Sequence, residues 1–86
     1  MREHELTESL LDLAIRGHPN DIEFNLLYGR FLLNSNSELA ALEHFYRAAD
    51  MEPDRPDIVI FLARTLRRLG KLNQAISVLQ SKNEAI

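Results

Sequence analysis

The chain has 86 residues and a formal net charge of −3, from 10 Lys and Arg against 13 Asp and Glu. Hydrophobic residues make up 45% of it, which excludes intrinsic disorder, and the absence of cysteine excludes disulfides, thiolate metal sites and cysteine nucleophiles. No apolar run approaches the roughly 20 residues that a membrane-spanning helix needs, and the first residues lack the order of a signal peptide. We therefore expect one small cytoplasmic domain, whose thin core leaves apolar surface for a partner.

Five stretches of the sequence repeat apolar residues at intervals of three and four, the spacing of an amphipathic helix. Leucine, a helix former that is not branched at Cβ, occurs 15 times, whereas the β-branched Val and Ile together occur 8 times. No segment alternates with period two over the length of a strand. The sequence therefore predicts an all-α chain with helices over 3–16, 20–34, 38–51, 55–69 and 72–84.

Residues that begin and end helices lie between these stretches. Asn20, followed three residues later by Glu23, predicts a cap for the second helix. Pro56 suits a first helical turn. Asn36 and Gly70, which occupy corresponding positions after the second and fourth helices, tolerate the left-handed conformation that ends many helices.

The sequence matches itself at an offset of 34 residues, which is the separation of Asn36 and Gly70. Residue size is preserved at positions where two helices would touch. The matched pairs are Leu11 with Phe45, Ala14 with Ala48, Pro19 with Pro53, Tyr28 with Leu62, Gly29 with Ala63, Leu32 with Leu66, Ala41 with Ala75 and Phe45 with Leu79. Such a period is typical of stacked helical hairpins, and it favours descent from a duplicated helix pair.

This pattern resembles the tetratricopeptide repeat, a two-helix unit of about 34 residues, which is also the length of the shift. The matching residues of the central unit are Tyr28, Gly29, Leu32, Ala41, Phe45, Ala48 and Pro53. The resemblance implies a single short right-handed α-solenoid of antiparallel helix pairs, with a half repeat over 1–21 and repeats over 22–55 and 56–86. Asn25 and Val59 stand where the family usually has a large aromatic residue, so we expect looser packing there.

Both ends of the predicted solenoid lack a neighbour. Solenoids normally need at least three units and a polar terminal helix, whereas this chain begins with an unpaired helix and ends without a cap. We expect either a piece of a longer array or a second molecule on the open faces. Residues 1–43 carry a net charge of −5 and residues 44–86 a net charge of +2, which favours head-to-tail self-association into a homo-oligomer.

Residues for catalysis or metal binding do not show the spacing that such sites require. His4, His18 and His44 are not three or four residues apart, so we interpret them as solvent-facing or turn residues rather than ligands. The sequence has no glycine-rich phosphate loop and no nucleophile motif. We therefore expect no enzyme activity, no metal and no cofactor.

The resemblance implies that the first helix of each unit lines a concave side, where the family usually binds peptides. The phase that buries Tyr28 and Leu32 leaves an adjoining face that combines apolar residues with arginines. We predict that a peptide or protein segment binds there to Leu26, Arg30, Leu33, Asn34, Ile60, Arg64, Arg67 and Arg68. Apolar residues beside guanidinium groups suit a partner with acidic or C-terminal carboxylate groups. We interpret the chain as a non-catalytic scaffold or adaptor.

Two other partners are less favoured. Chaperone adaptors of the family grip the carboxylate end of heat-shock proteins with Lys and Asn on the first helices. That clamp is not reproduced here, where the residues near those places are Leu26, Arg30, Asp57 and Phe61. The alternative function is an RNA-binding helical repeat, because basic residues cluster near the end of the fourth predicted helix, namely Arg64, Arg67, Arg68 and Lys71. An acidic first half and a sequence pI near 5.5 oppose it.

Overall fold

The computed structural model describes residues 2–84 and, within them, the side chains of Glu3 and of residues 5–80. This part of the chain forms five α-helices and no β-strand. The helices are α1 Arg2–Gly17, α2 Ile22–Asn34, α3 Glu38–Met51, α4 Pro56–Arg68 and α5 Leu72–Glu84. The predicted all-α class is confirmed, and each predicted helix agrees with the observed one to within two residues at either end. Residues 85 and 86 of the last predicted repeat lie outside the described residues.

The helices pack as a series of antiparallel neighbours, because the loops between them contain only three or four residues. α2 also contacts α4, so the first helices of the two predicted repeats lie side by side. The result is a slab of 42 × 25 × 14 Å. None of the five helices, over the range that the structure describes, combines the length and the apolar content needed to cross a membrane.

The start of α2 is fixed by an acidic cap. Asp21 accepts a 2.9 Å hydrogen bond from the backbone N–H of Phe24. The prediction that Asn20 caps this helix is wrong, because α2 begins at Ile22 and the residue directly before it holds the cap position. A carboxylate also interacts favourably with the positive end of the helix dipole.

The turns that follow α2 and α4 have the same geometry. Asn36 and Gly70 adopt positive φ angles of 62° and 78°, which confirms the left-handed conformation predicted for both. In each turn the next residue donates its N–H at 2.8 Å to the carbonyl oxygen five residues earlier. Both helices therefore satisfy a terminal carbonyl group in the same way, at equivalent positions of the two repeats.

The core lies between α2, α3 and α4, and the fully buried side chain of Phe45 is at its centre. Ala41 and Ala48, one turn away on either side, are also fully buried and let the neighbouring helices approach α3 closely. On α2 the facing residue is Gly29. A Cβ atom at that position would lie only 2.6 Å from the Phe45 ring. The ring therefore fills the space that any side chain at position 29 would need.

Replacing Gly29→Ala is expected to lower the free energy of unfolding. Overpacking of this kind costs about 1–3 kcal/mol, and the better helix propensity of alanine returns about 0.5–1 kcal/mol. Gly17→Ala is the matched control, because a Cβ at that helix end would meet no atom of another part of the protein within 4 Å. Urea unfolding should show a lower midpoint for Gly29→Ala alone, and equal midpoints for the two variants would contradict the packing of Phe45 against position 29.

Candidate functional site

Two of the predicted binding residues are buried rather than exposed. Leu26 and Leu33 are 5% and 3% exposed, so in this structure they belong to the core and not to the surface that was predicted to bind a partner. They lie three residues before and four residues after Gly29, on the face of α2 that packs into the core. The apolar spacing in the sequence could not separate a face that the following repeat covers from a face that is open to solvent.

The other predicted binding residues lie on the exposed surface of the two first helices. Arg30 and Asn34 are exposed on α2. On α4, Ile60 is 50% exposed, and Arg64 and Arg67 are exposed beside it. Spacings of four and three residues place these three α4 residues on one helix face.

Arg68 is also exposed, yet the protein itself binds its guanidinium group. It donates a hydrogen bond of 3.0 Å to the Leu33 carbonyl oxygen and one of 2.8 Å to Asn36 Oδ1. A carboxylate oxygen of Glu38 lies 3.8 Å away. Arg68 thereby ties the end of α4 to the turn between α2 and α3, so its contacts are structural.

Two arginines flank one aromatic ring between α2 and α4. The guanidinium carbon of Arg30 lies 5.1 Å from the centre of the Phe61 ring, and that of Arg64 lies 5.4 Å from it. Both distances suit cation–π attraction. The Phe61 ring stacks in turn on Phe45, at 5.6 Å between centres and 12° between planes. A ring anchored in the core therefore positions both guanidinium groups at the surface.

The arginines of the described side chains differ in whether a carboxylate neutralises them. Those with a carboxylate oxygen within 4 Å are Arg16, Arg47, Arg55 and Arg68. In the same part of the chain no carboxylate lies that close to Arg30, Arg64 or Arg67, which we call the arginine patch. The patch therefore directs its positive charge to solvent.

Arg55 is a structural hub that the sequence analysis missed. Its guanidinium contacts Glu23 at 2.7 Å, Asp57 at 2.9 Å and Glu52 at 3.2 Å. Hydrogen bonds to these carboxylates, with Glu23 first and Asp57 second, raise the pKa of Arg55 above its usual value. The sequence does contain a sign of this cluster, because Glu23 and Asp57 are separated by one full repeat. Equivalent acids therefore stand at the start of both first helices.

Asn25 and His44 form a buried polar pair between α2 and α3. The Asn25 amide nitrogen donates to the carbonyl oxygens of Pro19 and Asp21, so its Oδ1 faces His44 Nδ1 at 3.0 Å. Because Oδ1 can only accept, this geometry places the proton on Nδ1. His44 is 9% exposed, so its interpretation as a solvent-facing residue is wrong. Asn25 and Val59 are buried too, and Val59 lines a cavity between α4 and α5.

The remaining histidines do not build a site with His44. His18 is exposed in the loop between α1 and α2, and the His4 side chain lies outside the described residues. Among the side chains that the structure describes, no group of three or more His, Cys, Asp or Glu residues could hold a metal ion. The arginine patch is therefore the candidate site, and its chemistry is that of binding acidic groups.

His44 is expected to make stability depend on pH. Burial, and next the charge of Arg47, lower the pKa of His44 below 6.5 in the folded protein. In the unfolded chain the imidazole regains its ordinary pKa, so between the two pKa values the unfolded state binds more protons. The contribution of His44 to the free energy of unfolding should therefore fall as the pH decreases through about 6.5 and stop falling below the folded-state pKa.

The measurement is urea unfolding at about pH 7.5 and about pH 5. His44→Gln should lose less stability between these pH values than the wild type. His18→Gln, at an exposed position, is the control and should lose as much as the wild type. The same pH dependence in His44→Gln and the wild type would contradict a buried neutral imidazole.

Arg68→Gln is expected to lower the free energy of unfolding by about 1 kcal/mol or more, because it removes charge-assisted hydrogen bonds to Leu33 and Asn36. Arg67→Gln is the adjacent control, since Arg67 has no carboxylate within 4 Å among the described side chains. The midpoint temperature of thermal unfolding should fall for Arg68→Gln and stay unchanged for Arg67→Gln. Equal shifts for both would argue against a structural role specific to Arg68.

Three solved structures of similar fold are two of MamA AMB-1 and one of MamA MSR-1. One MamA AMB-1 structure superposes with a TM-score of 0.84 at 20% identity, over 95% of this chain and 48% of that chain. The other has a TM-score of 0.85 at 19% identity, over 96% and 45%. MamA MSR-1 has a TM-score of 0.84 at 20% identity, over 95% and 47%. This chain thus spans about half the length of the MamA chains that it matches.

At this identity the likeness to MamA shows the fold alone. No curated protein sequence matches the chain. The family model described as Tetratricopeptide repeat matches residues 39–82, which are 44 of the 86 residues and include most of α3 and all of α4. The two-helix period, the paired turns at Asn36 and Gly70 and this match agree, and the chain belongs to the tetratricopeptide repeat family.

Proposed function

We propose that the chain is a non-catalytic protein-interaction module, a scaffold or adaptor, that binds an acidic segment of another protein across α2 and α4. In this proposal residues 1–21 are a half repeat, and residues 22–55 and 56–86 are two repeats. The observation that carries it is the arginine patch, whose guanidinium groups have no carboxylate within 4 Å among the described side chains. Two of them are held at a single ring, that of Phe61.

The arginine patch suits carboxylates for a geometric reason. A guanidinium group presents its N–H donors in a planar fork, which matches the two oxygens of a carboxylate. Contact with the Phe61 ring restricts the Arg30 and Arg64 side chains before a ligand arrives. Less rotamer freedom is then lost on binding, so more of the interaction energy is available as affinity.

Apolar surface on the same two helices supports a mixed acidic and apolar segment. Leu27 is 48% exposed and lies three residues before Arg30. Ile60 is 50% exposed and lies four residues before Arg64. In both helices an apolar residue therefore precedes an arginine on one face. Asn34, one further turn along α2, offers its amide to the main chain of the partner.

The RNA-binding alternative is less well supported by these contacts. The basic cluster on which that alternative depends includes Arg68. The Arg68 guanidinium group is hydrogen-bonded to Leu33 and Asn36 and lies 3.8 Å from Glu38. With Arg68 held in this way, fewer cations are free to neutralise phosphates. We therefore treat RNA as an outcome of the test rather than as a second proposal.

The test measures binding of fluorescent peptides that combine Glu with Leu and Phe, next to counterparts in which Lys replaces Glu. The wild type should bind the acidic peptides and not the basic ones. Arg30→Gln combined with Arg64→Gln should weaken binding about tenfold or more, since each charge-assisted hydrogen bond contributes about 1.5–3 kcal/mol.

Arg47→Gln is the matched control, because Arg47 is paired with Glu43 on α3 and lies outside the arginine patch. It should bind the peptides as the wild type does, and circular dichroism should show unchanged helix content in every variant. Undiminished binding by the double variant would overturn the proposed site. Preferential binding of a uridine oligomer, with a steep loss in salt, would favour RNA instead.

A further inference from the structure

An apolar groove lies between α4 and α5 and borders the arginine patch. It encloses about 380 Å³, and its walls carry Ile60, Leu72, Ile76 and Leu79, which are 45–57% exposed. Ala63 and Ala75 also line it, and both are small and buried. Four large apolar side chains exposed together on so small a protein indicate a contact surface rather than scattered surface residues.

The repeat period indicates what kind of element this groove accepts. Counted back by one repeat, five of its lining residues fall on residues that are buried in the previous unit. Those buried residues are Leu26, Gly29, Leu33, Ala41 and Phe45. In that unit the covering helix is α4, whose Phe61 ring stacks on the Phe45 ring. The α4–α5 groove is therefore the equivalent of a surface that a helix covers in the previous unit.

α1 is an amphipathic helix with a free apolar face. Leu6, Leu10 and Leu13 are spaced by four and three residues and are 60–66% exposed. Within the described residues only α2 packs against α1, and it covers the side of Ile15. Among the described residues, the leucine face of α1 and the α4–α5 groove thus both stay uncovered.

The charges of the two surfaces are complementary. The first turn of α1 is acidic, with Glu3 and Glu5, and both are exposed next to the leucine face. The groove carries Arg64 and Arg67, and no carboxylate lies within 4 Å of either among the described side chains. Unlike charge at the two surfaces steers them together and selects this pairing over groove against groove.

We propose that α1 of one copy occupies the α4–α5 groove of a second copy. The contact is heterologous, because the two copies contribute different surfaces, so each added copy still offers a free α1 and a free groove. Association then continues head to tail and covers both apolar surfaces.

Light scattering across a concentration series tests this with Leu10→Glu in α1 and Ile76→Glu in the groove. The measured mass of the wild type should rise with concentration above the 9.9 kDa of one copy, while the mass of each variant alone should stay at that value. Leu39→Glu is the control, since Leu39 is 71% exposed on α3 and lies outside both surfaces. It should associate as the wild type does.

The decisive measurement is a mixture of the two variants. Leu10→Glu keeps an intact groove and Ile76→Glu keeps an intact α1, so the mixture should form a dimer of twice 9.9 kDa and no larger species. The two introduced carboxylates repel each other, so only the intact surfaces can pair. Arg30→Gln should associate as the wild type does, because Arg30 does not line the groove. This separates the contact from peptide binding at the arginine patch.

Several results would overturn the proposal. A wild type that stays at the mass of one copy at every concentration would do so, and so would a mixture of variants that remains monomeric. Association that persists in Ile76→Glu but not in Leu10→Glu would instead indicate that α1 pairs with α1. The reverse pattern would indicate a contact of groove with groove.

Discussion

The packing of the Phe45 ring against the bare backbone of Gly29 is the contact on which the other helices depend. Because glycine has no Cβ, the ring fits where any side chain at position 29 would come within 2.6 Å of it. The close approach of α2 and α3 follows from this fit. It buries Ala41 and Ala48 and forms the surface onto which α4 packs. A closely packed interior transmits such a constraint because it has little free volume to absorb a change.

The same aromatic contact connects the core to the candidate site. Phe45 stacks on Phe61, and the Phe61 ring lies close to the guanidinium groups of Arg30 and Arg64. The orientation of two surface cations thus depends on a ring whose own position is set by the core. Both arginines stand on helices, so their orientation does not depend on a loop.

Polar contacts fix how the helices meet, whereas apolar contacts hold them together. Arg68 binds the turn after α2, and Asn25 and His44 join α2 to α3 inside the core. Arg55 gathers three carboxylates at the start of α4. Hydrogen bonds are directional, so these contacts specify one relative placement of neighbouring helices, which apolar packing alone would define less sharply.

The sequence by itself determined the five helices, the left-handed turns after α2 and α4, and the period of the repeat. Apolar spacing located all five helices, and the left-handed residues at positions 36 and 70 were predictable because few residue types tolerate that conformation. Even the need for small residues at positions 29 and 41 was visible, since the shift by one repeat preserved their size. These features depend on neighbours in the chain or on a period, so local reasoning is sufficient for them.

Only the tertiary structure decided which apolar and polar groups are available for binding. Leu26 and Leu33 are buried on the face of α2 that packs into the core, whereas Leu27 is exposed. His44 is buried against α2, where its hydrogen-bond partner Asn25 lies 19 residues earlier in the sequence. Arg67 and Arg68 are adjacent in the sequence, yet only Arg68 reaches the turn between α2 and α3. Burial and pairing depend on residues that are distant in the sequence, and the pattern of one helix carries no record of what covers it.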